Sequence, residues 1–96
     1  MKRPKNFTCQ LGGVMWRVYF VRRGHPQVDG AWGTCHWDER EIYVRYDQTE
    51  RRFIDTLLHE LRHALSPCDY CAEEWITTTS TEIAMAMMAA GVRMPE

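Results

Sequence analysis

The hydrophobic period of this chain changes once, near residue 48, and that change limits the architectures open to it. Before it, the apolar residues fall into short β-rich runs. Val14-Met15-Trp16-Arg17-Val18-Tyr19-Phe20-Val21 is dense in β-branched and aromatic residues, which suit a pleated, half-buried surface. A second extended run is expected around Ala31 to Trp37. Asp38-Glu39-Arg40 then reads as a hairpin turn. Glu41-Ile42-Tyr43-Val44-Arg45-Tyr46 alternates as a half-buried strand does. After Thr49-Glu50 the apolar residues Phe53, Leu57, Leu61 and Ala64/Leu65 recur at three- and four-residue steps, the period of a helix. Ser66-Pro67 stops that helix. A second helix is predicted from about Ala72 to Ala90, with Gly91 as its stop. Its inward stripe reads Ile76, Ser80, Ile83, Met87 and Ala90.

Runs of strands followed by runs of helices make an α+β domain. The expected form is a small, mainly antiparallel sheet of about three strands, then two packed helices. With 96 residues, a single domain over 1–96 is the natural reading. Residues 1–13 read as a loose lead-in ending in the Gly12-Gly13 turn.

Charge narrows the choice of partners. The formal net charge is -1, but no Asp or Glu precedes Asp29, whereas Lys2, Arg3, Lys5, Arg17, Arg22 and Arg23 do. A basic stretch can track phosphates. No helix-turn-helix and no aromatic stacking platform is visible beside it, so a nucleic-acid partner is not expected. No apolar run follows the basic N-terminus as in a secretory signal, and no stretch approaches membrane-spanning length. The expected compartment is therefore the cytoplasm, with reduced thiols.

The chemistry is concentrated in His59-Glu60-Leu61-Arg62-His63. Four residues apart on a helix, the two imidazoles share one face, where a single zinc ion can meet both. Glu60 can reach a zinc-activated water without being a ligand, and can act as its general base. A catalytic zinc takes three protein ligands and an open fourth position. Glu73, Glu74 and Glu82 are the candidates for the third. At about 100° per residue from Ile76, Glu73 falls about 60° from the buried stripe, Glu74 about 160° and Glu82 about 120°. Glu73 is the expected ligand, with Glu74 in reserve.

The run Thr56-Leu57-Leu58-His59-Glu60-Leu61-Arg62-His63-Ala64-Leu65, followed by Glu73-Glu74-Trp75-Ile76, resembles the small HExxH proteins often found in phages and prophages. These are similar to minigluzincins and, more distantly, to ImmA/IrrE-type metallopeptidases. Trp32-Gly33-Thr34-Cys35 and Glu41-Ile42-Tyr43-Val44 resemble the strands that precede the zinc helix there. The resemblance spans residues 14 to 91. It implies a gluzincin-like site with His59 and His63 as ligands, Glu60 as base and a glutamate of the next helix as third ligand, a position that Glu73 matches.

The implied activity is zinc-dependent hydrolysis of peptide bonds in a peptide or protein substrate. The alternative is a non-catalytic interaction module that zinc stabilises. Gly33 to Trp37 could form a rim strand that pairs with an extended peptide. His36 could approach the cleft from that strand. Tyr70, His36 and Arg62 are candidates for stabilising the oxyanion. Cys68-Asp69-Tyr70-Cys71 is a lone CxxC, a weak signal. Packing is its expected role. A second, structural zinc shared with Cys9 and Cys35, or a thiolate on the active zinc, are lesser readings.

Overall fold

The computed structural model describes residues 3–11, 13–65, 80, 81 and 84. The strands are β1 (Phe7–Leu11), β2 (Val14–Val21), β3 (Gly33–His36) and β4 (Glu41–Arg45), and they precede the helix α1 (Glu50–Leu65). They form one sheet in the order β1-β2-β4-β3.

The architecture is α+β, but the sheet has four strands rather than three. Residues 7–11 are not a loose lead-in: they pair antiparallel with β2, from Phe7↔Val18 to Leu11↔Val14. The physical reason is plain. Phe7-Thr8-Cys9-Gln10-Leu11 alternates apolar and polar, and a two-residue Gly-Gly loop is a strong hairpin connection. Gly13 has φ 81°, a conformation that its missing Cβ permits at little cost.

The sheet is also mixed. β3 and β4 are antiparallel, as the hairpin turn implies. β2 and β4, however, run parallel, with Val18↔Ile42 and Phe20↔Val44 in register. The chain leaves β2, passes beyond the place of β4 to lay down β3 at the edge, and returns through Trp37–Arg40 to insert β4 in the middle. Arg40 takes φ 57° to close that return.

A middle strand is covered on both faces. Ile42 and Val44 are fully buried on the helix side, and Tyr43 and Arg45 are each only 9% exposed on the other. The half-buried strand expected from alternation is therefore buried from Ile42 to Arg45, with Glu41 partly exposed. Its outward residues lie under the 22–32 connection, where the His25 ring stacks on Tyr43 at 5.5 Å and Arg45 lies over Trp32 at 4.3 Å.

α1 covers the helix side of the sheet, against β3 and β4 and touching β1. Thr49 caps it: its hydroxyl accepts from the Arg52 N–H at 3.3 Å and its carbonyl from Phe53 at 2.8 Å. Glu50 in the first turn suits the positive end of the helix dipole. Trp16, Val18, Phe20, Ile42, Val44, Phe53, Ile54 and Ala64 make the core. Phe20 and Phe53 stack across sheet and helix at 5.4 Å. Leu57 and Leu61 pack against this core, but Leu65, expected to anchor the same side, is 54% exposed. Of the predicted second helix, Ser80, Thr81 and Ala84 are described. All three are helical, with Ser80 and Ala84 fully buried. The rest of its stripe lies outside the described residues.

No helix among the described residues is long and apolar enough to cross a membrane.

Candidate metal centre

α1 carries His59, Glu60 and His63 on its later turns. Spacing of four brings the two imidazoles together: their Nε2 atoms are 3.1 Å apart, with ring centroids at 4.7 Å and planes at 69°. Two imidazole nitrogens bound at ~2.0–2.1 Å to one tetrahedral zinc stand about 3.3 Å apart. The observed separation differs from that by about 0.2 Å. The same separation lets one neutral ring donate a hydrogen bond to the other, which keeps the pair converged. Both side chains are half-buried, so they are held without being sealed from solvent.

Glu60, the next residue around the helix, turns toward β3 and is only 6% exposed. Its place is set by Gly33. A Cβ added there would lie 3.2 Å from Glu60 Cγ, 2.7 Å from Thr56 Cγ2 and 3.1 Å from the Tyr43 carbonyl oxygen. A glycine inside a strand often marks close approach of another element, and here it admits the turn of the helix that bears Glu60. Between Trp32 and Gly33 on one side and Asp55, Thr56, His59 and Glu60 on the other lies a cleft of ≈ 220 Å³.

The cleft walls are braced. Trp32 is held between two guanidiniums, Arg45 at 4.3 Å and Arg52 at 4.4 Å from its ring centroid. Asp55 accepts the Thr81 hydroxyl at 3.0 Å, tying the later helical turn to α1. Thr56 donates to the Gln48 side chain at 3.2 Å. Sequence reading did not single out Trp32, Asp55, Thr56 or Thr81 as parts of a site. Only Gly33, as a strand glycine, carried a signal that could have found the close approach.

Strand alternation distributes the remaining candidates. Gly33 and Cys35 face the helix, so Thr34 and His36 face away. His36 therefore does not approach the cleft: it sits 3.0 Å from the Thr34 hydroxyl and edge-on to Tyr43 at 5.5 Å, on the opposite side of the sheet. It is removed from the oxyanion candidates for that reason. Arg62 is half-buried on α1 rather than fully solvated. Cys35 lies on the Glu60 side, where burial and then the negative charge of Glu60 push its thiol up to about 12. It stays a protonated thiol at neutral pH. Burial likewise pushes Cys9 up. Cys9 on β1 and Cys35 on β3 stand on opposite edges of the sheet, three strand spacings or about 14 Å apart. They do not share a metal ion with bonds of ~2.3 Å.

Among the described residues, no group of three His, Cys, Asp or Glu side chains forms a metal site. Glu73, Glu74, Glu82, Tyr70, Cys68 and Cys71 lie outside the described residues. Of the described donors, His59 and His63 converge as a pair of ring nitrogens, and Glu60 lines the neighbouring cleft with His59.

No family model matches this chain, and neither a curated protein nor a solved structure matches it.

Proposed function

We propose that this chain is a zinc-dependent peptidase of the small HExxH type, with a gluzincin-like ligand set of His59, His63 and Glu73. The observation that carries the reading is the 3.1 Å convergence of His59 and His63 Nε2 beside a carboxylate packed under an edge strand. Zinc held there supplies a Lewis acid that brings the pKa of a water toward ~7 and polarises the scissile carbonyl. Glu60 takes the proton of the attacking water and delivers it to the leaving amine. That Glu60 lines the cleft and packs against Gly33 supports this role. Among the described residues β3 pairs only with β4, and its outer edge is proposed to align an extended peptide antiparallel or parallel to it. Arg62 and Tyr70 are the remaining groups proposed for the oxyanion.

The test is Glu60→Gln, followed by zinc content and by cleavage of a quenched fluorescent peptide library. A peptidase retains one zinc per chain and loses about 10²–10⁴-fold in rate. Zinc retained with no cleavage by the unaltered chain would instead favour the zinc-stabilised interaction module. No zinc in either protein would sink both readings.

A further inference from the structure

A groove of ≈ 800 Å³ lies on the sheet face away from the metal candidates, lined by Arg3, Tyr19, Arg22, His25, Tyr43 and Tyr46 among others. Its floor is aromatic. Tyr19 on β2 and Tyr43 on β4 are register partners across the parallel pair, and their rings stack at 5.1 Å with planes 19° apart. The His25 ring stacks on Tyr43 at 5.5 Å and 29°. It is oriented by its Nδ1, which accepts from the Gln27 N–H at 3.1 Å. Tyr43 is covered by its neighbours, while Tyr19 and His25 remain half-exposed. They are the rings an incoming planar group can meet.

The walls are cationic. The Phe20 N–H donates to Asn6 Oδ1 at 2.9 Å and Pro4 is buried. Together they hold the N-terminal segment beside the end of β2 and place Arg3 at the groove. Arg22 donates through Nε to the Tyr46 hydroxyl, which orients a guanidinium that has further donors. Among the described residues, no carboxylate lines the groove. Two acids border the groove and are paired there: Asp47 with Arg45 at 3.0 Å and the Arg23 N–H at 3.3 Å, and Glu41 with Arg17 at 3.5 Å and the Tyr43 hydroxyl at 2.9 Å. Lys5 and Arg23, beside the lining segments in sequence, are exposed and extend the positive potential past the groove itself.

We infer that this face binds single-stranded nucleic acid. Sequence alone shows a basic stretch without a stacking platform; the fold assembles the platform by bringing Tyr43 of β4 beside Tyr19 and His25. Half-exposed rings beside guanidiniums match the way single strands are held, with bases on aromatic faces and phosphates on Arg and Lys. Charge beyond the groove favours a strand over a lone nucleotide, because a strand presents several phosphates in series. A duplex keeps its base faces stacked and cannot use the platform. The site is independent of the peptidase reading, since it shares no residue with the metal cleft.

The experiment uses the full chain and a fluorescein-labelled 12-nucleotide dT strand, read by anisotropy between about 20 and 200 mM salt. Tighter binding of the single strand than of the matching duplex is expected. Tyr19→Ala should weaken it about tenfold. Arg3→Ala with Arg22→Ala should lower the salt slope by about 1.4, at ~0.7 for each phosphate no longer neutralised. If Tyr19→Ala fails to fold, the arginine pair carries the test, since both side chains are exposed. Absence of binding at 20 mM salt (about the most permissive condition), equal binding of duplex, or indifference to the arginine pair overturns the proposal. Competition by thymidine monophosphate as effective as by the oligonucleotide also overturns it, in favour of a mononucleotide site.

Discussion

Gly33 carries more of the site than its size suggests. It is the point where β3 and α1 come closest, and a Cβ there would press on Thr56 Cγ2 at 2.7 Å and on Glu60 Cγ at 3.2 Å. Thr56 is β-branched and stiff at χ1, and it donates to Gln48, so it yields less easily than a long flexible chain. Gly33→Ala should therefore cost ~1–3 kcal/mol, the range for forced overpacking. Urea titration measures it. In a peptidase the same substitution should lower the rate more than it weakens zinc binding, because it displaces Glu60 rather than the histidines. A variant as stable as the parent would mean that β3 and α1 separate readily at this point. The residue scale is also where the sequence was most informative about chemistry. His59, Glu60 and His63 are adjacent in one helix, and a helix converts spacing directly into direction. Trp32, Thr81 and the bracing arginines come from separate elements, and no local pattern announces such meetings.

At the scale of elements, the β3–β4 pair shapes the response to alkali. Tyr43 on β4 and Cys35 on β3 belong to neighbouring strands but face opposite sides. Burial first, and then the hydrogen bond to Glu41, push the Tyr43 hydroxyl up to about 12. Burial and Glu60 push Cys35 up to about 12 as well. Both groups are neutral when protonated, and the folded chain holds their protons to higher pH than the unfolded chain. Their contribution is intact below the ordinary values of 9.0 for the thiol and 10.0 for the phenol. It is lost as pH rises from there toward 12, because the folded state then binds more protons than the unfolded state. Thermal unfolding followed from pH 8 to 11 (roughly the window that brackets both onsets) should show falling stability. Tyr43→Phe should flatten the decline above about pH 10, and Cys35→Ser the part beginning near 9. An unchanged slope in both variants would remove these groups as its cause. The elements themselves were largely legible: β2 and α1 have strong periodicity, and Thr49 marks a helix start that the structure uses. β1 was legible in principle, since Phe7 to Leu11 alternates before Gly12-Gly13. Its basic, polar flank argued for a lead-in, and only pairing with β2 decides otherwise.

At the scale of the whole molecule, the topology was not legible, because no local signal says that β4 enters between β2 and β3. Two adjacent hairpins in sequence suggest an antiparallel meander, whereas closing the core under α1 favours placing the most apolar short strand, Ile42 to Val44, in the centre. Among the described residues that choice leaves β3 at the edge beside the cleft and puts the aromatic groove on the far face. It also makes α1 the element on which a metal would act most strongly, since α1 bears both histidines and meets the later helical turn through Asp55 and Thr81. Metal that binds the folded chain and not the unfolded one stabilises by mass action. At a zinc concentration a hundredfold above Kd the gain is about 2.7 kcal/mol, which raises Tm by roughly 10–20 °C in a domain of this size. Calorimetry with zinc and with a chelator should show that difference for the parent chain and for Glu60→Gln. His63→Ala should abolish it. Comparing Glu73→Gln with Glu74→Gln then assigns the third ligand, because only the true ligand's loss should shrink the shift. A parent chain whose Tm ignores zinc would rule out a metal held by His59 and His63, and with it the hydrolytic reading of the cleft.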